Sequence, residues 1–373
     1  MNTKQKKILI CGGCGFMGSH FIRHIYNKYP DYIIYNLDLL TYAGNLENLK
    51  DIESQEKKLP KNKKRYFFIK SDINNKMLLQ ELFKRENFDV VVNFAAESHV
   101  DRSIHDAVEF IRTNIQGAYV LLDTLRSAKI PRYIYISTDE VYGDIPPGIH
   151  SDEKYPLQPV NPYSASKASA DLMVQSYIKT HKMPAIILRS SNNYGTHQYP
   201  EKLHALIITN LLEKKKTPVH GKGNHIRSWL HVLDFCNALD LVMHKGKDFE
   251  IYNVTGEEKS TLDVIDTIAK LFGLDPNKYI TFVQDRPGPD FRYSPDHTKI
   301  TKELGWERKY MHSQAMKELV VWYKRNKSWW TNIKKKKDFK NYYTKIVQGH
   351  YTFEETKNYE RHWSNKKIKG KKL

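Results

Sequence analysis

The residues Tyr163-Ser164-Ala165-Ser166-Lys167 set a phenol and an ammonium four positions apart. On a helix that spacing projects both from one face. The cation would draw a phenol of free pKa about 10 toward operating pH. Such a tyrosine can take the proton of a sugar hydroxyl while hydride leaves the same carbon for a nicotinamide. Alone, the pair is better read as an ordinary exposed helix start. Downstream of a dinucleotide-type loop, it is not. A second group, Thr138-Asp139-Glu140, follows the apolar run Tyr133–Ser137 and emerges at the carboxyl edge of a strand, where sheets of this kind place their sites. Adjacent acids usually mark a solvated turn. Simple alcohol oxidation needs only a Ser or Thr against the substrate oxygen, so an acid–base pair is surplus to it. The pair suits a reaction that expels water, protonating a hydroxyl and removing a neighbouring C–H proton.

The dinucleotide-type loop is Ile10-Cys11-Gly12-Gly13-Cys14-Gly15-Phe16-Met17-Gly18-Ser19-His20. It contains both C-x-x-C and G-x-x-G-x-x-G. The preceding Lys7–Ile10 reads as a buried strand, and Gly18 onward as a helix with Phe21, Ile22 and Ile25 inward. A glycine turn in that position lets backbone N–H groups approach a pyrophosphate at the positive helix end. A dithiol there would find its pKa lowered by the helix. Only one further cysteine, Cys236, exists, which speaks against zinc. Cys11 and Cys14 are read as small buried residues and the loop as a phosphate cradle, formed by Gly12, Gly15, Phe16, Met17 and Gly18. Asp38, at the end of the second strand, is placed to accept both ribose hydroxyls. No arginine follows to welcome a 2′-phosphate, so NAD is favoured over NADP. Asp72, which would otherwise be a helix cap, is placed to reach adenine; Ile73 and Ala95 complete the cofactor set.

These groups need a frame, and the chain supplies an alternating one. Apolar runs at Ile8–Ile10, Tyr32–Leu37, Tyr66–Ile69, Val90–Phe94, Tyr133–Ser137 and Ala185–Leu188 are separated by helical patterns such as Val108–Ala128 and Ser164–Thr180. This predicts an α/β fold, a Rossmann-type doubly wound parallel sheet with a smaller C-terminal substrate-binding region. Residues 1–191 with about 226–254 form the expected NAD-binding domain. Residues 192–225 with 255–331 form the expected smaller, substrate-binding region, with helices at Lys202–Lys214 and, capped by Ser260, Thr261–Phe272. Residues 332–373 are a lysine-rich extension whose structure is not readable from sequence.

Composition narrows the class. An apolar content of 40% over 373 residues suits a folded globule. No apolar run approaches about 18 residues, so no membrane span is expected. Three cysteines suit a reducing, cytoplasmic compartment rather than a disulfide framework. The formal charge of +18 is concentrated at one end: from Lys324 onward there are 16 basic and 4 acidic residues. The basicity is read as a solvated tail, with contact to a polyanion or membrane surface as the alternative; no nucleic-acid partner is expected.

The stretches LDLLTYAGN (Leu37–Asn45), NFAAESHVDRSI (Asn93–Ile104), STDEVYG (Ser137–Gly143), NPYSASKASAD (Asn161–Asp171), SNNYG (Ser191–Gly195) and PEKL (Pro200–Leu203) resemble the dTDP-glucose 4,6-dehydratase family of extended short-chain dehydrogenases/reductases. The resemblance covers roughly residues 6 to 325. It implies that Tyr163, supported by Lys167, deprotonates the glucose C4 hydroxyl as hydride passes to NAD, with Thr138 steadying the 4-keto oxygen. Glu140 then removes the C5 proton, Asp139 protonates the departing C6 hydroxyl, which leaves as water, and the hydride returns to C6 as a proton returns to C5. Asp139 must therefore hold a proton near neutral pH, helped by its like-charged neighbour. The resemblance further implies that Asn192, Lys202, Arg227 and Arg286 hold the nucleoside diphosphate and that His99 and Asp101 lie near the sugar. It also implies a homodimer formed through the Val108–Ala128 and Ser164–Thr180 helices. Departures from the family pattern at Thr196, Ser228, His231, Phe235, Thr255–Ser260 and Pro289 are expected around the nucleotide pocket, leaving UDP-glucose a rival to dTDP-glucose as substrate. A 4-epimerase or decarboxylase of the same fold, or a non-catalytic NAD-binding scaffold, are the alternatives.

Overall fold

Seven strands lie side by side in one parallel sheet in the computed structural model, whose described residues are 6–347. They are β1 (Lys7–Cys11), β2 (Ile33–Asp38), β3 (Tyr66–Lys70), β4 (Val90–Asn93), β5 (Tyr133–Thr138), β6 (Ala185–Ser190) and, from later in the chain, Ile251–Val254. The order is β3-β2-β1-β4-β5-β6 followed by the late strand. Residues of β4, β5 and β6 are buried throughout, as strands covered by helices on both faces must be. On one face Phe21, Ile22 and Ile25 of the Phe16–Lys28 helix meet Phe235 and Leu239 of the Val232–Lys245 helix. On the other, Leu121, Leu122 and Leu125 of the Gly117–Ala128 helix meet Val174 of the Pro162–His181 helix. The strand order reverses between β1 and β4, opening the crevice in which such sheets take ligands.

The helix expected over Val108–Ala128 is interrupted. It opens helically at Val108–Phe110, passes through a π-helical stretch over Ile111–Gln116 and resumes at Gly117. The extra residue per turn accompanies the inward turn of Asn114, which is buried; such bulges occur often at functional sites. Asn114 bonds the backbone of Glu97 in both directions and donates to Ser166 Oγ at 2.8 Å.

The smaller lobe begins with Asn192–Tyr194, which pairs parallel with Ile226–His231; Glu257–Ser260 pairs antiparallel on the other side. Two further strands, Thr217–His220 and Ile280–Val283, pair with each other. The return to the large sheet, expected at about 226, comes instead at Val232, because Ile226–His231 is held in the small sheet. Ile300, Leu304 and Trp306, expected in the smaller region, join the core of the large one. Ser260 caps the Thr261–Leu271 helix in a reciprocal box with Asp263.

The chain then forms helices at His312–Arg325, Lys327–Lys335 and Lys337–Val347. The first part of the lysine-rich extension is thus folded; its residues 348–373 lie outside the described ones. Among the described residues no helix is long and apolar enough to cross a membrane.

Candidate active site

The glycine loop leaves β1 and enters the Phe16–Lys28 helix without a side-chain cap and with no acid in the first turn, so the N–H groups of that turn face the crevice. Gly12 has φ +78°, and a Cβ there would sit 2.6 Å from the backbone nitrogen of Ala95. Only glycine fits. At Gly15 a Cβ would meet nothing closer than Gly12 O at 3.3 Å; the space is that of a cradle open to the cavity. Asp38 accepts from the N–H groups of Cys14 and Leu40 at 2.8 and 2.7 Å, which aims its carboxyl at the rim. Asp72 accepts from Asn74 and pairs with Arg112, forming a turn rather than the helix cap, which is Asn75. The uncapped N–H groups, the open cradle and the carboxyl at its rim together fit a dinucleotide.

The two cysteines are free, buried and divided between the two core layers, Cys11 on one side of the sheet and Cys14 on the other. Burial, and next Asp38, pushes both thiols well above the usual thiol range. The dithiol reading has no support here.

At the end of β5, Thr138 caps a short turn over Asp139–Tyr142, its hydroxyl accepting from Glu140 N at 3.3 Å. Thr138, Asp139 and Glu140 are all buried. Burial and then Glu140 push the Asp139 carboxyl well above the usual carboxylate range. Burial also raises Glu140, but Arg227, Lys202 and Arg286 oppose it, as does a bond from Asn192. Asp139 Oδ2 and Glu140 Oε2 have no hydrogen-bond partner among the described residues. Two buried carboxyl oxygens without partners mark a site prepared for something else.

Tyr163 and Lys167 lie in the first turns of the Pro162–His181 helix, which Asn161 and Ser164 cap reciprocally. Ser103 Oγ accepts from Tyr163 N at 3.1 Å, and Ser166 Oγ donates to Tyr163 O at 2.7 Å. Deeper, Arg189 of β6 forks onto Asp171 of the same helix at 2.9 and 2.8 Å. The expectation that Lys167 holds Tyr163 as phenolate does not describe this state. Burial, and then Glu140, pushes the phenol well above its ordinary value, while a bond from Thr138 opposes them. Lys167 donates to Ile136 O at 2.7 Å, and burial pulls it down to about 7, against the attraction of Asp171.

A cavity of about 440 Å³ joins the cradle to these groups. It is lined by the whole expected cofactor set, by Thr138, Glu140, Tyr163 and Lys167, and by His99, Asn192, Lys202, Arg227 and Arg286. Two expected residues stand one layer back. Asp139 lies behind Thr138 and Glu140, its Oδ1 accepting from the Thr138 hydroxyl at 3.3 Å. Asp101, expected near the sugar, instead receives the Arg286 guanidinium at 2.6 and 2.8 Å. The departures from the family pattern also differ from expectation. Of Thr196, Ser228, His231, Phe235 and Pro289, only Pro289 reaches the cavity wall; Thr255–Ser260 does not. His231 stacks on Tyr310, and Phe235 is a core residue.

Sequence reading missed Asn114, for which one asparagine in an amphipathic helix gave no signal, and Tyr342, whose hydroxyl meets His99 and Asp101. Its signal lay in the spacing Asp338, Phe339, Tyr342, Tyr343, which places all four on one helical face.

A dinucleotide cradle at the switch point of a parallel sheet, beside a Tyr-x-x-x-Lys helix, defines an extended short-chain dehydrogenase/reductase. The profile of the family described as GDP-mannose 4,6 dehydratase matches residues 9–319. A dTDP-glucose 4,6-dehydratase of Shigella flexneri is 43% identical over 353 residues, covering 88% of this chain and 95% of that protein. A crystal structure of dTDP-glucose 4,6-dehydratase from Bacillus anthracis str. Ames, in complex with NAD, superposes with TM-score 0.81 at 42% identity, covering 88% of this chain and 99% of that one. An Arabidopsis thaliana protein named trifunctional UDP-glucose 4,6-dehydratase/epimerase/reductase is 38% identical over 334 residues, covering 88% of this chain and 49% of its own length. The chain belongs to the dTDP-glucose 4,6-dehydratase family.

Proposed function

We propose that this chain is an NAD-dependent 4,6-dehydratase that converts dTDP- or UDP-glucose to the 4-keto-6-deoxy sugar nucleotide with loss of water. The observation that carries it is the buried Thr138-Asp139-Glu140 group beside Tyr163, with Thr138, Glu140 and Tyr163 on the wall of a cavity that Lys202, Arg227 and Arg286 also line. Bound NAD supplies a hydride acceptor that gives the hydride back within the same turnover. Tyr163, ionised once the positive charge of a bound nicotinamide would offset the burial and the Glu140 charge that hold its phenol up, takes the C4 hydroxyl proton, and Thr138 donates to the developing 4-keto oxygen. Glu140, on the cavity wall and surrounded by cations, is the base at C5. Asp139, kept protonated by burial and by Glu140, is the acid for the C6 hydroxyl and turns out from behind Thr138 when a sugar hydroxyl offers it a partner. Lys202, Arg227 and Arg286 suit a diphosphate by charge and fork geometry. Arg227 is aimed by backbone acceptors Ile226 O and Asp290 O at 2.8 and 2.9 Å.

A homodimer through the two long helices is part of the same reading, supported by exposed apolar residues on them: Val108, Ile111, Tyr119 and Leu172. Cytoplasmic residence is supported by three free, buried cysteines. Purified protein is to be incubated separately with dTDP-glucose and UDP-glucose. Formation of a 4-keto product absorbing in alkali, lighter by one water, supports the reading and assigns the base. Both sugars returning unchanged refutes it.

A further inference from the structure

The family profile ends at residue 319, yet the chain continues into the Lys337–Val347 helix. One face of this helix touches several segments that border the site. Asp338 pairs with Arg102 at 3.0 Å, and Phe339 packs against Tyr199, with ring centroids 6.1 Å apart. Tyr343 OH accepts from Asn210 at 3.1 Å. Tyr342 is the most enclosed of the polar contacts. Its hydroxyl donates to Asp101 Oδ2 at 3.0 Å and lies 3.1 and 3.0 Å from the two ring nitrogens of His99. Asp101 in turn receives Arg286 through both carboxylate oxygens. His99 and Arg286 line the cavity, whereas Asp101 and Tyr342 stand behind them.

A phenylalanine would fill the same volume. What the hydroxyl adds is direction. It bonds the carboxylate that squares the Arg286 fork and meets the edge of the His99 ring. Arg102, lying 4.2 Å over Tyr42 and 4.7 Å over Tyr342, extends the contact toward the loop after β2. We propose that Tyr342 is a positioning residue for the nucleotide sugar, fixing the aim of Arg286 and His99 through Asp101, so that a helix beyond the matched region is part of the substrate site. The inference rests on the reading that Arg286 holds the diphosphate.

The test is Tyr342→Phe in the full chain with its cofactor, alongside Asp101→Asn and the double variant. Calorimetric binding of dTDP and UDP is measured beside steady-state kinetics. In Tyr342→Phe, the KM for the nucleotide sugar and the dissociation constant of the matching diphosphate are expected to rise together about tenfold, the scale of one charge-assisted hydrogen bond. kcat is expected to stay within about twofold, since the substitution leaves the charge of Arg286 near Glu140, and bound NAD to stay unchanged. The double variant is expected to bind no more weakly than Asp101→Asn, because the hydroxyl acts through that carboxylate. Unchanged KM and diphosphate affinity overturn the inference. So does a loss of NAD together with a lower melting temperature, which would make the hydroxyl a purely structural bond. Full additivity of the two substitutions overturns it as well. A wild-type chain that binds neither diphosphate and converts neither sugar overturns the underlying reading instead.

Discussion

Glu140→Gln separates the two halves of the proposed reaction. The amide keeps the volume of the side chain and loses its charge and basicity, so folding and NAD content should not change. Oxidation at C4 depends on Tyr163 and Thr138, and the reduced nicotinamide should still form when substrate binds. It should form more readily at low pH. After burial, Glu140 is the largest influence holding the Tyr163 phenol up. Removing that negative charge lowers the phenol's pKa, and the pH at which the oxidation step reaches half its rate moves down. The second half should stop. A positioned general base contributes about 10²–10⁴-fold, so full turnover should fall by roughly 2.7–5.4 kcal/mol at about 1.36 kcal/mol per factor of ten. The assay runs the variant in deuterated water, following the absorbance of reduced nicotinamide and, by mass spectrometry, deuterium entering C5. Wild-type turnover, or C5 exchange at the wild-type rate, would refute the assignment of Glu140 as base. An oxidation profile shifted to higher pH would refute the electrostatic argument.

Asp139→Asn should give the complementary result. C5 exchange continues while water loss slows by about 10² or more, and loss of exchange in this variant would show that the two acids had been assigned the wrong way round. Gly15→Val should lower co-purifying NAD at least about tenfold with little change in melting temperature, because a Cβ there meets only Gly12 O at 3.3 Å and its branches fill the phosphate cradle; full NAD occupancy would disprove the cradle. Arg189→Met strands the Asp171 carboxylate in the core and should cost about 3–5 kcal/mol in urea unfolding, while adding Asp171→Leu should recover much of it. A double variant as unstable as the single one would mean that the pair's hydrogen bonds, rather than the buried charge, set the cost.

The sheet was legible because its strands are short apolar runs punctuated by helical periods, and runs such as Val90-Val91-Val92 can only be buried strands in that context. The glycine loop was legible for a steric reason: Gly12 sits against the Ala95 backbone, and no other residue can. The layering behind the cavity was not. Asp101 and Asp139 are each one position from a residue that does line the wall, Val100 and Thr138, and sequence distance does not say which side chain faces in. Nor does composition separate a folded lysine-rich helix from a solvated tail. Lys337–Val347 opens with Lys337, Asp338 and Lys340 exposed, and its few aromatics become informative only when the segments they touch are placed beside them.

The same limit bears on how two neighbouring carboxyls could do the opposite work proposed for them. Burial drives every titratable group at this site toward its neutral form: Asp139, Glu140 and Tyr163 upward, Lys167 downward. Burial alone pushes both acids the same way, toward the protonated form. The difference comes from the other lobe. Arg227, Lys202 and Arg286 all bear on Glu140, whereas Arg227 is the one cation among the leading influences on Asp139, which also carries the repulsion of Glu140. These cations come from three separate segments, brought together only when the small sheet and the loops around it close over the carboxyl end of β5. On the proposed reading, the packing that gathers the diphosphate-binding cations therefore also favours Glu140 over Asp139 as the base. By this argument, neutralising Arg227 alone should weaken diphosphate binding and also slow C5 exchange at neutral pH. Raising the pH should then restore exchange while binding stays weak, since a Glu140 with a higher pKa regains its charge as pH rises; exchange that stays slow at high pH would break the link between the two.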